Sequence, residues 1–160
     1  MKTETLFSSK SDEWETPQEF FQDLDKEFHF DLDACASDGN HKCDMYYTAA
    51  DNGLSKNWGG HTVWCNPPYS NIKSWVRKAY YEGHKPNTVV VVLVFSRTDT
   101  KWWWNYVQHK AEVRFIKGRM KFGGSENNAP FPSALIIYRG PEEKTDVDPR
   151  QLTWDQLKEI

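Results

Sequence analysis

Apolar and polar positions along this chain follow two periods, one helical and one extended. Phe20, Phe21, Leu24 and Phe28 recur at the spacing of a single helix face. Thr16 precedes Pro17, a residue suited to the first helical position, so Thr16 reads as the N-cap, with Glu19 where a capping-box acid belongs. Residues 29–35 predict a first strand ending in small residues. Residues 37–60, rich in Asp, Asn and Gly, predict mostly loop, with a short strand at 45–47. Thr62-Val63-Trp64-Cys65 predicts a second strand, stopped by Asn66-Pro67-Pro68. Ile72, Trp75, Val76 and Ala79 share one face of a helix over 72–81. The β-branched run at 88–95 has the pattern of a central strand buried on both sides. A helix over 100–110, a strand over 112–116, a turn with a short strand over 118–124 and a last core strand over 133–138 complete the series.

Strands alternating with helices predict an α/β fold, a mostly parallel twisted sheet with helices on both faces. The chain divides into a loose tail at 1–13, one domain at 14–140, and a charged linker with a short terminal helix at 141–160. In such sheets ligands bind beyond the carboxyl ends of the strands. That rule selects the ends of the first and second strands, Asp33 and Asn66.

Composition sharpens this picture at three points. The longest apolar run, residues 89–95, is far too short to span a bilayer, so no membrane partner is expected. Three cysteines (Cys35, Cys43, Cys65) without CxxC spacing predict a reduced cytosolic protein and no metal site. The net charge of −3 conceals a strong asymmetry. Residues 1–61 carry 13 acidic and 5 basic groups, whereas residues 62–121 carry 11 basic and 3 acidic. A basic middle suits one face turned toward phosphate, and ordinary surface scatter is the competing reading. Arg114, Lys117, Arg119 and Lys121 alternate there with Phe115, Ile116, Met120 and Phe122, a pattern that fits either phosphate contact or a guarded strand edge. Trp102-Trp103-Trp104 cannot all face one way on a helix, so at least one is exposed or at an interface, and a homodimer is compatible with that surplus.

Asn66-Pro67-Pro68-Tyr69 carries the strongest chemical signal. Two prolines after an apolar strand remove two backbone donors, so the turn offers a side-chain amide and carbonyls to a ligand. An exocyclic aromatic amine needs such acceptors, because its lone pair is delocalised into the ring. Accepted by the Asn66 oxygen and the Pro67 carbonyl, its N–H groups would turn the nitrogen toward a nucleophilic geometry. Tyr69 could stack on a base that has left its duplex. A tight turn with Tyr69 in the core is the alternative.

These segments together resemble the phage-type DNA N6-adenine methyltransferases. The likeness rests on Trp14-Glu15-Thr16-Pro17, Asp31-Leu32-Asp33-Ala34-Cys35-Ala36, Asp51-Asn52-Gly53-Leu54 with Trp58, and Trp64-Cys65-Asn66-Pro67-Pro68-Tyr69-Ser70. Arg97-Thr98-Asp99-Thr100 with Trp102, Gly118-Arg119 and Ala129-Pro130 extend it. The resemblance implies a compact Rossmann-like methyltransferase fold with residues 14–140 as its catalytic domain. It implies S-adenosylmethionine as donor, an adenine flipped from double-stranded DNA as acceptor, and a phage- or prophage-encoded enzyme in the cytoplasm of a bacterial host. It assigns catalysis to Asn66, Pro67, Pro68 and Tyr69, and donor binding to Trp14, Thr16, Pro17, Asp33 and Ala34. Arg97 joins Arg114, Lys117, Arg119 and Lys121 as a DNA contact. The chain departs from the wider superfamily in having Ala36-Ser37-Asp38-Gly39-Asn40 where a glycine-rich loop would stand. The ribose-binding residue is therefore open, with Asp51 as candidate. Cytosine N4, RNA adenine and a glutamine side chain remain alternative acceptors for the same chemistry, and a binding module without catalysis is the alternative outside it.

Overall fold

The computed structural model describes residues 15–122 and 129–141. The tail at 1–13, Trp14, the helix expected at 149–160 and most of its linker lie outside the described residues.

Helix α1 (Gln18–Phe28) leads into β1 (Leu32–Asp33), and a long loop containing a 3-10 turn (Gly53–Ser55) leads to β2 (Thr62–Cys65). A second 3-10 turn (Tyr69–Asn71) opens α2 (Ile72–Gly83), followed by β3 (Val89–Phe95), α3 (Lys101–Tyr106), β4 (Glu112–Phe115) and β5 (Ser133–Arg139). The strands form one sheet in the order β1-β2-β3-β5-β4. β1, β2 and β3 pair in parallel, with Val63 opposite Leu32 and Val90. β5 then enters antiparallel between β3 and β4. The sheet expected to be mostly parallel is therefore mixed. The reason lies in two seven-residue strands, Val89–Phe95 and Ser133–Arg139, which pair over their whole length from Val89↔Arg139 to Phe95↔Ser133.

Side chains alternate across this sheet and bury two layers. Val90, Val92 and Val94 face α2 and α3, packing with Trp58, Trp75, Val76 and Trp103. Val91, Leu93 and Phe95 face α1, packing with Phe21, Leu24 and Trp64. Helices thus cover both faces, as expected.

Four expectations fail, each for a local reason or within the described residues. Residues 29–31 do not belong to the first strand. His29 takes a left-handed conformation (φ 57°) that ends α1, and Phe30 donates its N–H to Asp25 Oδ1 at 2.8 Å. The segment expected as a strand at 45–47 contributes a single parallel bridge, Asp33↔Tyr46. Helix α3 stops at Tyr106, and His109 at φ 64° turns the chain toward β4. Thr100 caps α3, its side chain accepting from Trp103 N. Residues 118–122 form no strand, and 123–128 lie outside the described residues. Of the three consecutive tryptophans, Trp102 and Trp103 are buried and Trp104 is 59% exposed.

Candidate active site

β2 carries the chain to the edge of the sheet and releases it at Asn66. The prolines that follow cannot extend the strand, and Pro68 at φ −64° leads into the turn that starts α2. Two clefts meet here, and Asn66 lines both. The larger, about 330 Å³, lies between the ends of β1 and β2 and the loop at 36–54. The smaller, about 20 Å³, is walled by Pro67, Tyr69, Ile72, Leu93, Phe95 and Phe122, among others.

The Asn66 amide is held from a distance in sequence. Its Nδ2 donates to Thr16 Oγ1 at 2.9 Å, and Thr16 is only 3% exposed. This corrects the expected helix cap. Pro17 occupies the cap position of α1, no side chain caps that end, and the Thr16 hydroxyl serves Asn66 instead. Thr16 also lines the larger cleft, together with Asp33 and Ala34, whereas Pro17 is not among its lining residues.

Asp33 ends β1 and is 3% exposed. Its Oδ2 accepts from Lys42 N at 2.9 Å and its Oδ1 from Cys35 N at 3.3 Å. Burial nevertheless pushes its carboxyl pKa above the usual aspartate value, against the pull of those N–H groups and of Lys42 and His41. A buried carboxylate with that bias gains from a cation placed beside it. Lys42 is the basic residue among those lining this cleft.

Asp51 is not among the residues lining the cleft. Its Oδ2 accepts from Thr48 N at 2.9 Å and from Thr48 Oγ1 at 3.1 Å, hydrogen bonds that hold its carboxyl below the usual value. Its neighbours Asn52 and Gly53 are the ones that line the wall. Gly53 is required here, because a Cβ at that position would lie 2.2 Å from the Ala34 carbonyl oxygen. Trp58 donates Nε1–H to the Gly53 carbonyl at 2.9 Å, and its backbone N–H meets Glu82 Oε1 at 2.9 Å. Glu82 also pairs with Lys78 and Lys85. The spacing from Asp51 to Trp58 thus encodes a loop pinned to the strand end and to α2.

Tyr69 is half-buried in an aromatic group. Its hydroxyl accepts from Arg97 at 2.6 Å, and its ring lies 5.4 Å from Phe95 and 6.0 Å from Phe131, nearly parallel to the latter (6°). The Arg97 guanidinium sits 4.7 Å over the Phe131 ring. Sequence reasoning misses Phe131, and its place between Pro130 and Pro132 is the local sign that it is held rigidly.

The arginines expected to contact DNA separate into different environments. Arg97 is committed to Tyr69 and lies 3.8 Å from Asp99. Arg114 is bidentate to Glu27 (2.8 and 2.8 Å), pairs with Glu112 at 2.5 Å and lies over the Phe28 ring. Those carboxylates hold its pKa up and match its charge inside the chain. Arg119 donates to the carbonyls of Ala129 and Pro130. Lys117 and Lys121 are exposed on the same stretch, while Met120 and Phe122 turn inward. No helix among the described residues is long and apolar enough to cross a membrane.

Comparison with known proteins gives this geometry a context. The family model for DNA N-6-adenine-methyltransferase (Dam) matches residues 2–145. A DNA N-6-adenine-methyltransferase of Haemophilus phage HP1 is 35% identical over 150 residues, covering 88% of this chain and 86% of the phage protein. A DNA N-6-adenine-methyltransferase of Escherichia phage T1 is 35% identical over 108 residues, covering 66% of this chain and 45% of that protein. The match spans both clefts and every described strand, and the chain belongs to the DNA N-6-adenine-methyltransferase family.

Proposed function

We propose that this chain transfers a methyl group from S-adenosylmethionine to N6 of an adenine swung out of DNA. Methylation of adenine in DNA follows from the family; the donor, the sheet's Rossmann-like character and the residue roles are our reading of the site. One observation carries it: Asn66 stands where a cleft with a buried acid meets a cleft walled by aromatic rings.

The larger cleft fits the donor. Its volume lies within the roughly 300–1,000 Å³ common for cofactor sites. Asp33 answers an ammonium group, Lys42 answers a carboxylate, and Leu54 and Trp75 supply apolar wall for a purine. When bound, the donor supplies an electrophilic methyl carbon on a sulfonium, whose C–S bond breaks as the N6 lone pair forms the new C–N bond and leaves a neutral thioether. Asn66 Oδ1 and the Pro67 carbonyl accept the two N–H groups of the target amine and draw its lone pair out of conjugation. Those bonds strengthen as N6 becomes positive, which is why they act on the rate. The charged nitrogen then releases its proton without a prior base. Tyr69 and Phe131 provide ring faces for the flipped base, a stacking worth about 1–3 kcal/mol per base in single-strand binders. Arg119, bonded to the carbonyls of Ala129 and Pro130 beside Phe131, and the exposed Lys117 and Lys121 on the same stretch suit backbone phosphates. The phage relatives support an enzyme made from a phage or prophage genome and working in the bacterial cytoplasm.

Incubating the protein with plasmid DNA and labelled donor, then separating the nucleosides, tests this reading. N6-methyladenine is expected. N4-methylcytosine, or transfer only to RNA or to protein glutamine, would overturn the acceptor, and no transfer at all would leave a binding module.

A further inference from the structure

We infer that Thr16 is a positioning residue for the chemical step, setting which end of the Asn66 amide meets the target amine. This rests on Asn66 as the acceptor for that amine. A primary amide is nearly symmetric in shape but opposite in polarity at its two ends, so a rotation of 180° replaces an acceptor with a donor. In the wrong orientation Asn66 would present N–H to the N–H groups of the amine. Something in the protein must break that symmetry.

In the structure Thr16 Oγ1 accepts from Nδ2 at 2.9 Å, which leaves Oδ1 on the other side of the group. A hydroxyl can also donate, so the contact selects this orientation as long as the Thr16 proton is directed away from the amide. Its hydroxyl comes from the segment just before α1, 50 residues away in sequence, and is buried. Neither neighbour in sequence could substitute: Glu15 is exposed and Pro17 has no polar side chain. Thr16 and Asn66 also share the wall of the larger cleft. The group that orients the acceptor is therefore built into the floor of the donor site, and the catalytic turn is tied to the N-terminal segment rather than to its own helix.

The experiment uses the whole chain and a duplex substrate, with Thr16→Val, Thr16→Ser, Asn66→Ala and the double variant Thr16→Val/Asn66→Ala. Thr16→Val keeps the shape and removes the acceptor. Single-turnover methylation should slow by about tenfold, the scale of leaving one half-buried donor unmatched. Thr16 lines the donor cleft as well, so the rate is read at saturating donor, where Thr16→Ser should recover most of it, a rescue that simple loss of packing would not give. Added to Asn66→Ala, Thr16→Val should cost nothing further. Thr16→Val at the wild-type rate, a loss that adds to that of Asn66→Ala, or a loss confined to donor affinity would each overturn the inference. Asn66→Ala at the wild-type rate would overturn the proposed catalytic role of Asn66 itself, and so separates the two failures.

Discussion

Two polar clusters sit at opposite ends of the sheet, and they treat charge in opposite ways. Across β4 and α1, Glu112 accepts from Arg114 and Arg139, Arg114 grips Glu27, and the Phe28 ring underlies both guanidinium groups. Every charge there meets its opposite within the chain. Burial works to raise the Glu112 carboxyl, yet hydrogen bonds from Arg139 and Arg114 outweigh it and hold the pKa low, and Arg114 does the same for Glu27. At the ends of β1 and β2 the balance is reversed. Asp33 has two backbone N–H partners, and burial still wins and raises it. A cluster that neutralises itself is a fastening, whereas one left with a surplus is suited to a ligand.

Replacing Asn66 with Ala sharpens this contrast most. Single-turnover methylation at saturating donor should fall by on the order of a hundredfold or more, with circular dichroism unchanged, by analogy with removing one aimed polar group. Arg114→Ala, equally polar in origin, should leave that rate near wild type. A large rate loss in both variants would break the distinction.

Asp33→Asn comes next, with an expected fall of about tenfold in donor affinity by calorimetry, the scale of one charge-assisted hydrogen bond. Proton linkage gives this prediction a direction. The raised pKa means that Asp33 takes up its proton at a higher pH than the ordinary value of about 3.9. Donor affinity should therefore begin to fall on acidification above that value in the wild type, and this acid limb should vanish in Asp33→Asn. An identical pH profile in both proteins would remove Asp33 from the donor site.

DNA binding is expected to respond more modestly. Reversing Arg119 and Lys121 to Glu should lower the log–log salt slope by about one unit for each phosphate no longer neutralised, with donor affinity spared. Tyr69→Ala should weaken capture of the flipped base, while Tyr69→Phe keeps a ring and should cost less, giving up the bond to Arg97.

The smallest effect belongs to the fastening itself. Arg114→Ala should reduce stability by about 1 kcal/mol in urea unfolding, since the Glu27 pair is partly exposed. Glu27 and Glu112 have lowered folded-state values, so their contribution is present above the ordinary carboxylate range and lost as pH falls through the folded pKa. The variant should lose less stability on acidification than the wild type. A salt slope reduced by Arg114→Ala would return that residue to the DNA face.

What could be read from the chain follows from how locally each feature is determined. β2, α2, β3 and β5 were legible because long apolar runs leave few alternatives for residues such as Val91 and Ile136. The turn at 66–69 was legible because two prolines dictate their own backbone. Thr16 misled, because its cap-like setting gave no sign of a partner 50 residues on. The pairing of Arg114 was equally illegible, its carboxylate partner Glu27 lying 87 residues back. Residues 29–31 alternate like a strand, but Asp25 claimed the N–H of Phe30 for the helix exit. The wall formed by Asn52 and Gly53 depends on the meeting of a loop with Ala34, an approach that no period in the sequence encodes.

The placement of β5 also sets a schedule for synthesis on the ribosome. As the chain emerges, β1, β2 and β3 can pair in turn, but β3 and β4 must wait for a shared neighbour that is translated last among the described strands. Until Ser133–Arg139 arrives, β3 presents an apolar edge of seven residues to the crowded cell. Such an edge invites pairing with other chains. Slowing translation between β4 and β5 should therefore reduce the yield of native protein more than an equal pause after β5, although neither pause alters a single residue.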